Sequence, residues 1–264
     1  MSRTSLKHIS TLIKSITDEL PVEQSLLLDM KKSIEISNIK NARTSSTSYK
    51  PSSMNCIRQS YYQITGAEAD ESDVNYCLIG IAESGTDRHI RIQQYLLDMK
   101  SNGFDCEYID VGEFIKYRDL NYLEVKSKEV METKLYWPEL NLSFLSDGII
   151  KYRDKYYILE IKTEVSYKWQ SRKGVDPNHY HQATCYALAF GIDDVIFIYE
   201  NRDTCDKKAY LLHVTDEMKQ DVLGYISNCD SYVSQKQVPP IPDNVSNKTC
   251  SYCPYKKICN KETS

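Results

Sequence analysis

Apolar residues near the start of the chain fall three and four apart: Leu6, Ile9, Ile13, Ile16 and Leu20, with Leu12 beside them. That spacing predicts an amphipathic helix over residues 5–20, stopped by Pro21. A second helix is expected from Val22 to about Ile36. Residues 41–55 are rich in Ser and Thr without periodicity and read as a linker. Helical spacing resumes over Ile57–Gln63 and again from about Asn75 to Lys100, where Ile79, Ala82, Thr86, His89, Ile92 and Leu96 repeat. The period then shortens. Leu123–Leu135 alternates, and Leu140–Lys151 and Lys155–Thr163 read as two strands joined through a turn at Tyr152-Arg153-Asp154. A helix over Asn178–Phe190 closes at Gly191. Strands follow over Ile192–Tyr199 and Ala209–Val214, with a long helix over Asp216–Gln235. Pro239, Pro240 and Pro242 then precede a cluster of cysteines. This order predicts a mixed α/β core with helical extensions.

Composition narrows the class without naming it. The chain has 264 residues, 41% hydrophobic and 27% charged, so a sizeable core can be buried without covalent staples. No apolar run approaches the length of about 18 residues needed for a membrane span. No apolar block follows the first basic residues, so a secretory signal is not expected. The expected setting is a reducing cytoplasm, bacterial or that of a host cell if the gene is phage-borne. The formal charge of -4 argues against a surface wrapped in basic residues. Its distribution is uneven: the balance is +4 over residues 1–60, -7 over 61–130, -4 over 131–247 and +3 over 248–264. Basic ends around an acidic middle fit either a polyanion-binding rim or ordinary solvated surface.

Candidate chemistry sits on the two hairpin strands. Side chains two apart on a strand share a face, so Glu160 and Lys162 point the same way, and Asp147 on the partner strand can lie beside them. Two carboxylates and an ammonium on one face suit a hard divalent cation and the water it ionises. Read singly, Glu-x-Lys is an exposed ion pair and Asp147-Gly148 a turn. The apolar flanks Ile158, Leu159 and Ile161 favour burial instead. Two helices add His89, in Gly85-Thr-Asp-Arg-His89, and the pair Gln182 and Tyr186, four apart on one helical face. Gln182 and Tyr186 could hold a phosphate or a nucleobase, or tie helix to sheet.

In order, Gly85…His89, Asp147-Gly, Glu160-x-Lys162 and Gln182-x3-Tyr186 resemble the PD-(D/E)XK nuclease superfamily in its RecB-like branch. Cys56 far upstream and Cys250-x2-Cys253-x5-Cys259 downstream are similar to the subset closed by a 4Fe–4S cluster. CRISPR-associated RecB-like exonucleases and AddB-type helicase-nucleases belong to that subset. The likeness covers residues 50–264. Cys56-Ile-Arg58-Gln-Ser-Tyr61-Tyr62 resembles the family's first-cysteine segment, with Ile57 where Pro is common. The fold so implied is a restriction-endonuclease-like mixed sheet flanked by helices, over residues 51–264. Residues 1–50 would be a helical extension and linker. The resemblance implies Mg²⁺ or Mn²⁺ held by His89, Asp147, Glu160 and the Ile161 carbonyl, with Lys162 as catalytic lysine. Gln182 and Tyr186 would be accessory residues. The implied reaction is metal-dependent hydrolysis of DNA.

Cys250, Cys253 and Cys259 can wrap three corners of a cubane, and Cys56 can supply the fourth. Zn²⁺ held by the same four thiolates is the rival, although such sites usually draw on two short-spaced pairs. Arg58, Tyr61, Lys168 and Arg172 are candidates for DNA contact, Tyr61 by stacking on unpaired bases. Two function classes follow: a DNA nuclease, expected to be an exonuclease acting on single-stranded or end-containing DNA, and a DNA-binding adaptor. The adaptor would use the same fold in recombination, packaging or CRISPR adaptation, meeting a protein partner through its N-terminal helices. RNA cleavage is a third reading, since nothing in the sequence reads a 2′-hydroxyl.

Overall fold

The computed structural model of the chain describes residues 20–40, 46–70, 76–129, 131–243, 245 and 247–261. The expected helix over residues 5–20 lies outside them except for Leu20. Two compact units divide the chain: residues 1–44 with 73–84, and residues 45–72 with 85–264. In the first, α1 (Val22–Lys40) extends one turn past the expected end at Ile36. The Tyr76 N–H donates to Glu35 Oε1 at 3.1 Å, and the Lys31 ammonium lies 4.8 Å from the Tyr76 ring centre. None of the sequence-predicted site residues belongs to this unit.

In the second unit, α2 (Ile57–Ile64) and α3 (Tyr76–Ser101, which begins in the first unit) precede β1 (Cys106–Ile109) and α4 (Val111–Tyr117). The sequence reading missed β1 and α4. Both are short, and α4 is started by Asp110, whose side chain accepts from the Glu113 N–H. Next come β2 (Glu124–Glu129), β3 (Glu132–Trp137), β4 (Leu142–Ser146), β5 (Ile149–Tyr152) and β6 (Lys155–Glu164). The single alternating stretch expected over Leu123–Leu135 is therefore two antiparallel strands, β2 and β3. After α5 (Ser166–Ser171), α6 (Tyr180–Phe190) crosses to β7 (Asp194–Asn201), which pairs parallel to β6. β8 (Lys207–His213) and α7 (Asp216–Gln235) follow, then α8 (Asn247–Ser251) with Cys250 and α9 (Lys256–Lys261) with Cys259, Cys253 lying between them. Gly191 ends α6 in the left-handed region at φ 63°.

β1-β5-β6-β7-β8 form one sheet in that order, and β2-β3-β4 form a second. The main core lies where α6 packs on the sheets and α7 packs on α6, with Phe144, Ile158, Phe190, Phe197 and Tyr199 among its buried side chains. The strand expected over Leu140–Lys151 is broken in two. β4 pairs with β3 and β5 pairs with β6, so the chain changes sheets at Asp147-Gly148. Gly148 adopts φ 141°, and a Cβ there would sit 2.7 Å from the Tyr108 ring carbons. An apolar pattern that runs on through both strands hides this break; only the glycine marks it.

Candidate metal centre

The sheet change places Asp147 at the junction of the two sheets. Its backbone carbonyl accepts from Gln93 Nε2 and from the Tyr108 hydroxyl, both at 2.7 Å. Its Oδ2 accepts from the Ile161 N–H at 2.6 Å, leaving Oδ1 to face His89 Nδ1 at 3.1 Å. Gln93 and His89 are four apart on α3, so one helical face serves both ends of Asp147. Two cations of that helix fix it against Glu200 on β7, where Lys207 of β8 joins them. Arg88 Nη1 and Arg91 Nη2 lie 2.7 and 2.6 Å from Glu200 Oε1, and Lys207 Nζ lies 3.0 Å from Oε2.

Glu132, at the start of β3, completes the group, its Oε1 3.3 Å from His89 Nδ1. One donor atom each from His89, Glu132 and Asp147 lie within 4.8 Å of one another. The sequence reading missed Glu132, which has no motif around it; only the turn between β2 and β3 brings it in. Burial works against a charged His89, but hydrogen bonds to Asp147 and Glu132 outweigh it and hold the imidazole at about 10. A cation bound there would take the place of that proton.

Glu160 lies beside this group, 3% exposed against 5% for Asp147. Its Oε1 accepts from Gln182 Nε2 at 2.8 Å and lies 2.5 Å from Lys162 Nζ. Lys162 also donates to Gln182 Oε1 at 2.9 Å. Gln182 Nε2 donates again to the Tyr186 hydroxyl at 2.8 Å, and that hydroxyl donates to the Leu145 carbonyl at 2.8 Å. Gln182 and Tyr186 thus tie Glu160 and Lys162 to the end of β4. Burial raises Glu160 to about 7; the Asp147 charge adds to this, and Lys162 and His89 pull the other way. Burial also opposes the Lys162 ammonium, but Glu160 outweighs it and holds the lysine charged.

The donor set fits a hard divalent cation: carboxylate oxygens dominate and acids outnumber the fixed cation Lys162. Two buried atoms nearby, Ser146 Oγ and Gln93 Oε1, have no hydrogen-bond partner among the described residues. Of Ile161, the described contact with the site is the N–H to Asp147.

The cysteines converge separately. Cys56, Cys250, Cys253 and Cys259 line one small cavity together with Arg58, Tyr62 and Lys256. Burial raises the Cys253 thiol, and Cys56, Cys259 and Cys250 add to the effect. Asp70 fastens the C-terminal segment here: its N–H donates to the Pro254 carbonyl at 2.6 Å, and its Oδ2 accepts from the Lys257 N–H at 2.8 Å.

Of the four residues expected to contact DNA, Arg58, Tyr61 and Arg172 are engaged inside the fold, while the Lys168 side chain is 41% exposed. Arg58 and Tyr61 are buried, with Arg58 Nε on the Tyr62 hydroxyl at 3.2 Å. Arg172, its side chain 8% exposed, forks onto Glu164 at 2.6 and 2.5 Å and lies 4.2 Å from the Tyr199 ring centre. Lys168 pairs with Glu164 at 3.0 Å and Asp176 at 3.4 Å.

No protein-family model matches the sequence, and no curated protein matches it. Among solved structures, "Crystal structure of SSO0001" is similar at a TM-score of 0.46 and 16% identity, over 88% of this chain and 95% of that one. An alkaline exonuclease (LHK-Exo) from Laribacter hongkongensis gives a TM-score of 0.46 at 11% identity, over 73% and 90%. The same exonuclease in complex with dAMP gives 0.44 at 12%, again over 73% and 90%. Among the described residues, no helix is long and apolar enough to cross a membrane.

Proposed function

We propose that this chain is a metal-dependent DNA nuclease, an exonuclease acting on single-stranded or end-containing DNA. The observation that carries the reading is the meeting of His89, Glu132 and Asp147 beside a buried Glu160–Lys162 pair. His89, Glu132, Asp147 and Glu160 would hold Mg²⁺ or Mn²⁺. Such an ion supplies Lewis acidity and an ionised water at neutral pH. Lys162, fixed by Gln182, presents its ammonium where negative charge gathers on the phosphate as water attacks in line. Tyr186 keeps Gln182 from turning away.

The thiols of Cys56, Cys250, Cys253 and Cys259 would hold a 4Fe–4S cluster that ties residue 56 to the C-terminal segment. Zn²⁺ held by the same four thiolates is the rival, although such sites usually draw on two short-spaced pairs. Cys253→Ser is expected to give colourless, poorly soluble protein; a colourless variant with full activity and stability overturns the cluster.

Digestion of end-labelled single- and double-stranded DNA with Mg²⁺ or Mn²⁺ tests the nuclease. Cleavage that is independent of metal, or that survives Lys162→Ala and Asp147→Asn, removes the reading. A second role as an adaptor is favoured by the separate unit of residues 1–44 and 73–84, which carries no candidate site residue. Loss of a bound partner on deleting residues 1–40, with cleavage retained, would establish that role beside the first.

A further inference from the structure

β3 does not stop at the metal centre. Side chains alternate along a strand, and its burial follows: Thr133 and Leu135 are buried, while Glu132, Lys134 and Tyr136 share the opposite, partly open face. Across the ladder Lys134 faces Leu145 and Tyr136 faces Ser143. At about 3.4 Å per residue, Lys134 lies about 7 Å and Tyr136 about 14 Å from Glu132.

That far end opens into a cavity of about 380 Å³. Lys126, Lys134 and the hydroxyls of Ser46, Thr47, Ser48 and Ser143 line it, together with Tyr136 and Asn141; no lining residue is acidic. The structure is braced around the opening. The Tyr136 hydroxyl donates to Asn141 Oδ1 at 3.1 Å, and Asn141 Nδ2 donates to the Thr47 carbonyl at 2.9 Å. Lys126 stands 5.1 Å from the Tyr136 ring centre and pairs with Glu124 just outside the cavity. Lys134 has no ion pair among the described residues.

We infer that this cavity takes the sugar-phosphate backbone of the nucleic acid strand whose scissile phosphate lies at the metal centre. Amines and hydroxyls without carboxylates suit phosphate oxygens. The two places lie on one face of one strand, which favours a continuous polynucleotide over a separate small ligand or a peptide. At about 3.4 Å per stacked nucleotide, the distance from Glu132 corresponds to about two to four nucleotides. Lys134 and Lys126 then supply contacts that the buried Arg58, Tyr61 and Arg172 are not placed to make. The inference rests on the nuclease reading.

The test measures KM and kcat of the full chain with Mn²⁺ on single-stranded oligothymidylates of about two and about sixteen nucleotides. Lys126→Ala combined with Lys134→Ala should raise KM on the longer strand on the order of tenfold. The slope of log KM against log salt should flatten by about 1.4, at about 0.7 for each lost single-strand phosphate contact. The shorter strand, which does not reach the cavity, should respond far less. Lys126→Arg with Lys134→Arg should restore the longer strand, which separates charge from any folding defect. Equal losses on both strands, or an unchanged KM and slope, overturn the inference while leaving the nuclease standing. If the unaltered chain cleaves neither strand, both readings fall.

Discussion

Glu160 and Glu200 are both buried, on adjacent strands of one sheet, yet their surroundings are opposite. Glu200 is 0% exposed and meets three cations, Arg88, Arg91 and Lys207. Burial alone would raise its carboxyl, but Arg88 and Lys207 lower it below the usual range. Glu164, four residues along β6 from Glu160, is likewise lowered against burial by Arg172 and Lys168. Glu160, with Asp147 and Glu132, shares only Lys162 and the His89 imidazole, and burial pushes it up to about 7. An interior that gives two of its carboxylates an excess of positive partners leaves the third group short by choice of residues. The shortage is where a divalent cation could be held, and the surplus at Glu200 holds the helix of His89 against the sheet.

The largest way to break this contrast is at the chemistry. Lys162→Ala should lower metal-dependent cleavage on the order of a thousandfold, as for loss of a group that stabilises charge in the transition state. Circular dichroism should show an intact fold, because Gln182 still holds Glu160. Retained cleavage would place the chemistry elsewhere.

Glu200→Gln and Asp147→Asn should then differ in the sign or size of their effect on the metal-free protein. Removing the Glu200 charge leaves two guanidiniums and an ammonium in excess and should cost about 3–5 kcal/mol in denaturant unfolding. Asp147→Asn keeps an acceptor for the Ile161 N–H while relieving the crowding of acids, so its cost should fall below about 1 kcal/mol or become a gain. Equal losses would mean that the acids at the site are as well compensated as Glu200. Metal sharpens the same comparison: at about a hundred times its dissociation constant, Mn²⁺ should add about 2.7 kcal/mol to the unaltered chain. It should add far less to Asp147→Asn, read as the shift in Tm.

How much of this was legible beforehand depended on how local the signal was. Glu160 and Lys162 share a face because strands alternate, and Gly191 ends α6 because a left-handed residue must; two or three residues suffice for either reading. Glu132 needs a turn that no motif marks. Asp147 stands out beside its glycine, but the strand around it reads as one, since apolar residues run on either side of a break that only Gly148 betrays. Arg172 and Tyr61 have the chemistry to meet a nucleic acid and lack the exposure. Exposure depends on the whole fold, so a sequence that places charges correctly along the chain still cannot tell a strut from a contact.

A smaller test uses a half-buried group near Glu164. His179 Nδ1 faces the Tyr199 hydroxyl at 3.1 Å, and that hydroxyl already accepts the Asp176 N–H. Burial lowers the imidazole first, and the charges of Lys162, Lys168 and Arg172 lower it further against Asp176, to about 4. In the unfolded chain His179 takes its proton near pH 6.5, so between there and about pH 4 the unfolded state binds more protons than the folded one. Stability contributed by the neutral ring is therefore present above about pH 6.5 and is lost as pH falls. The loss should reach about 2 kcal/mol by about pH 5. His179→Gln cannot titrate, so its unfolding free energy should fall less between about pH 7 and about pH 5, by that amount. Its stability at neutral pH should drop somewhat, because the ring stacks on Phe197 at 6.0 Å. An unaltered pH slope in the variant would mean that His179 is charged in the folded chain, and that the cations around Glu164 do not extend their field to it as they do to the glutamate.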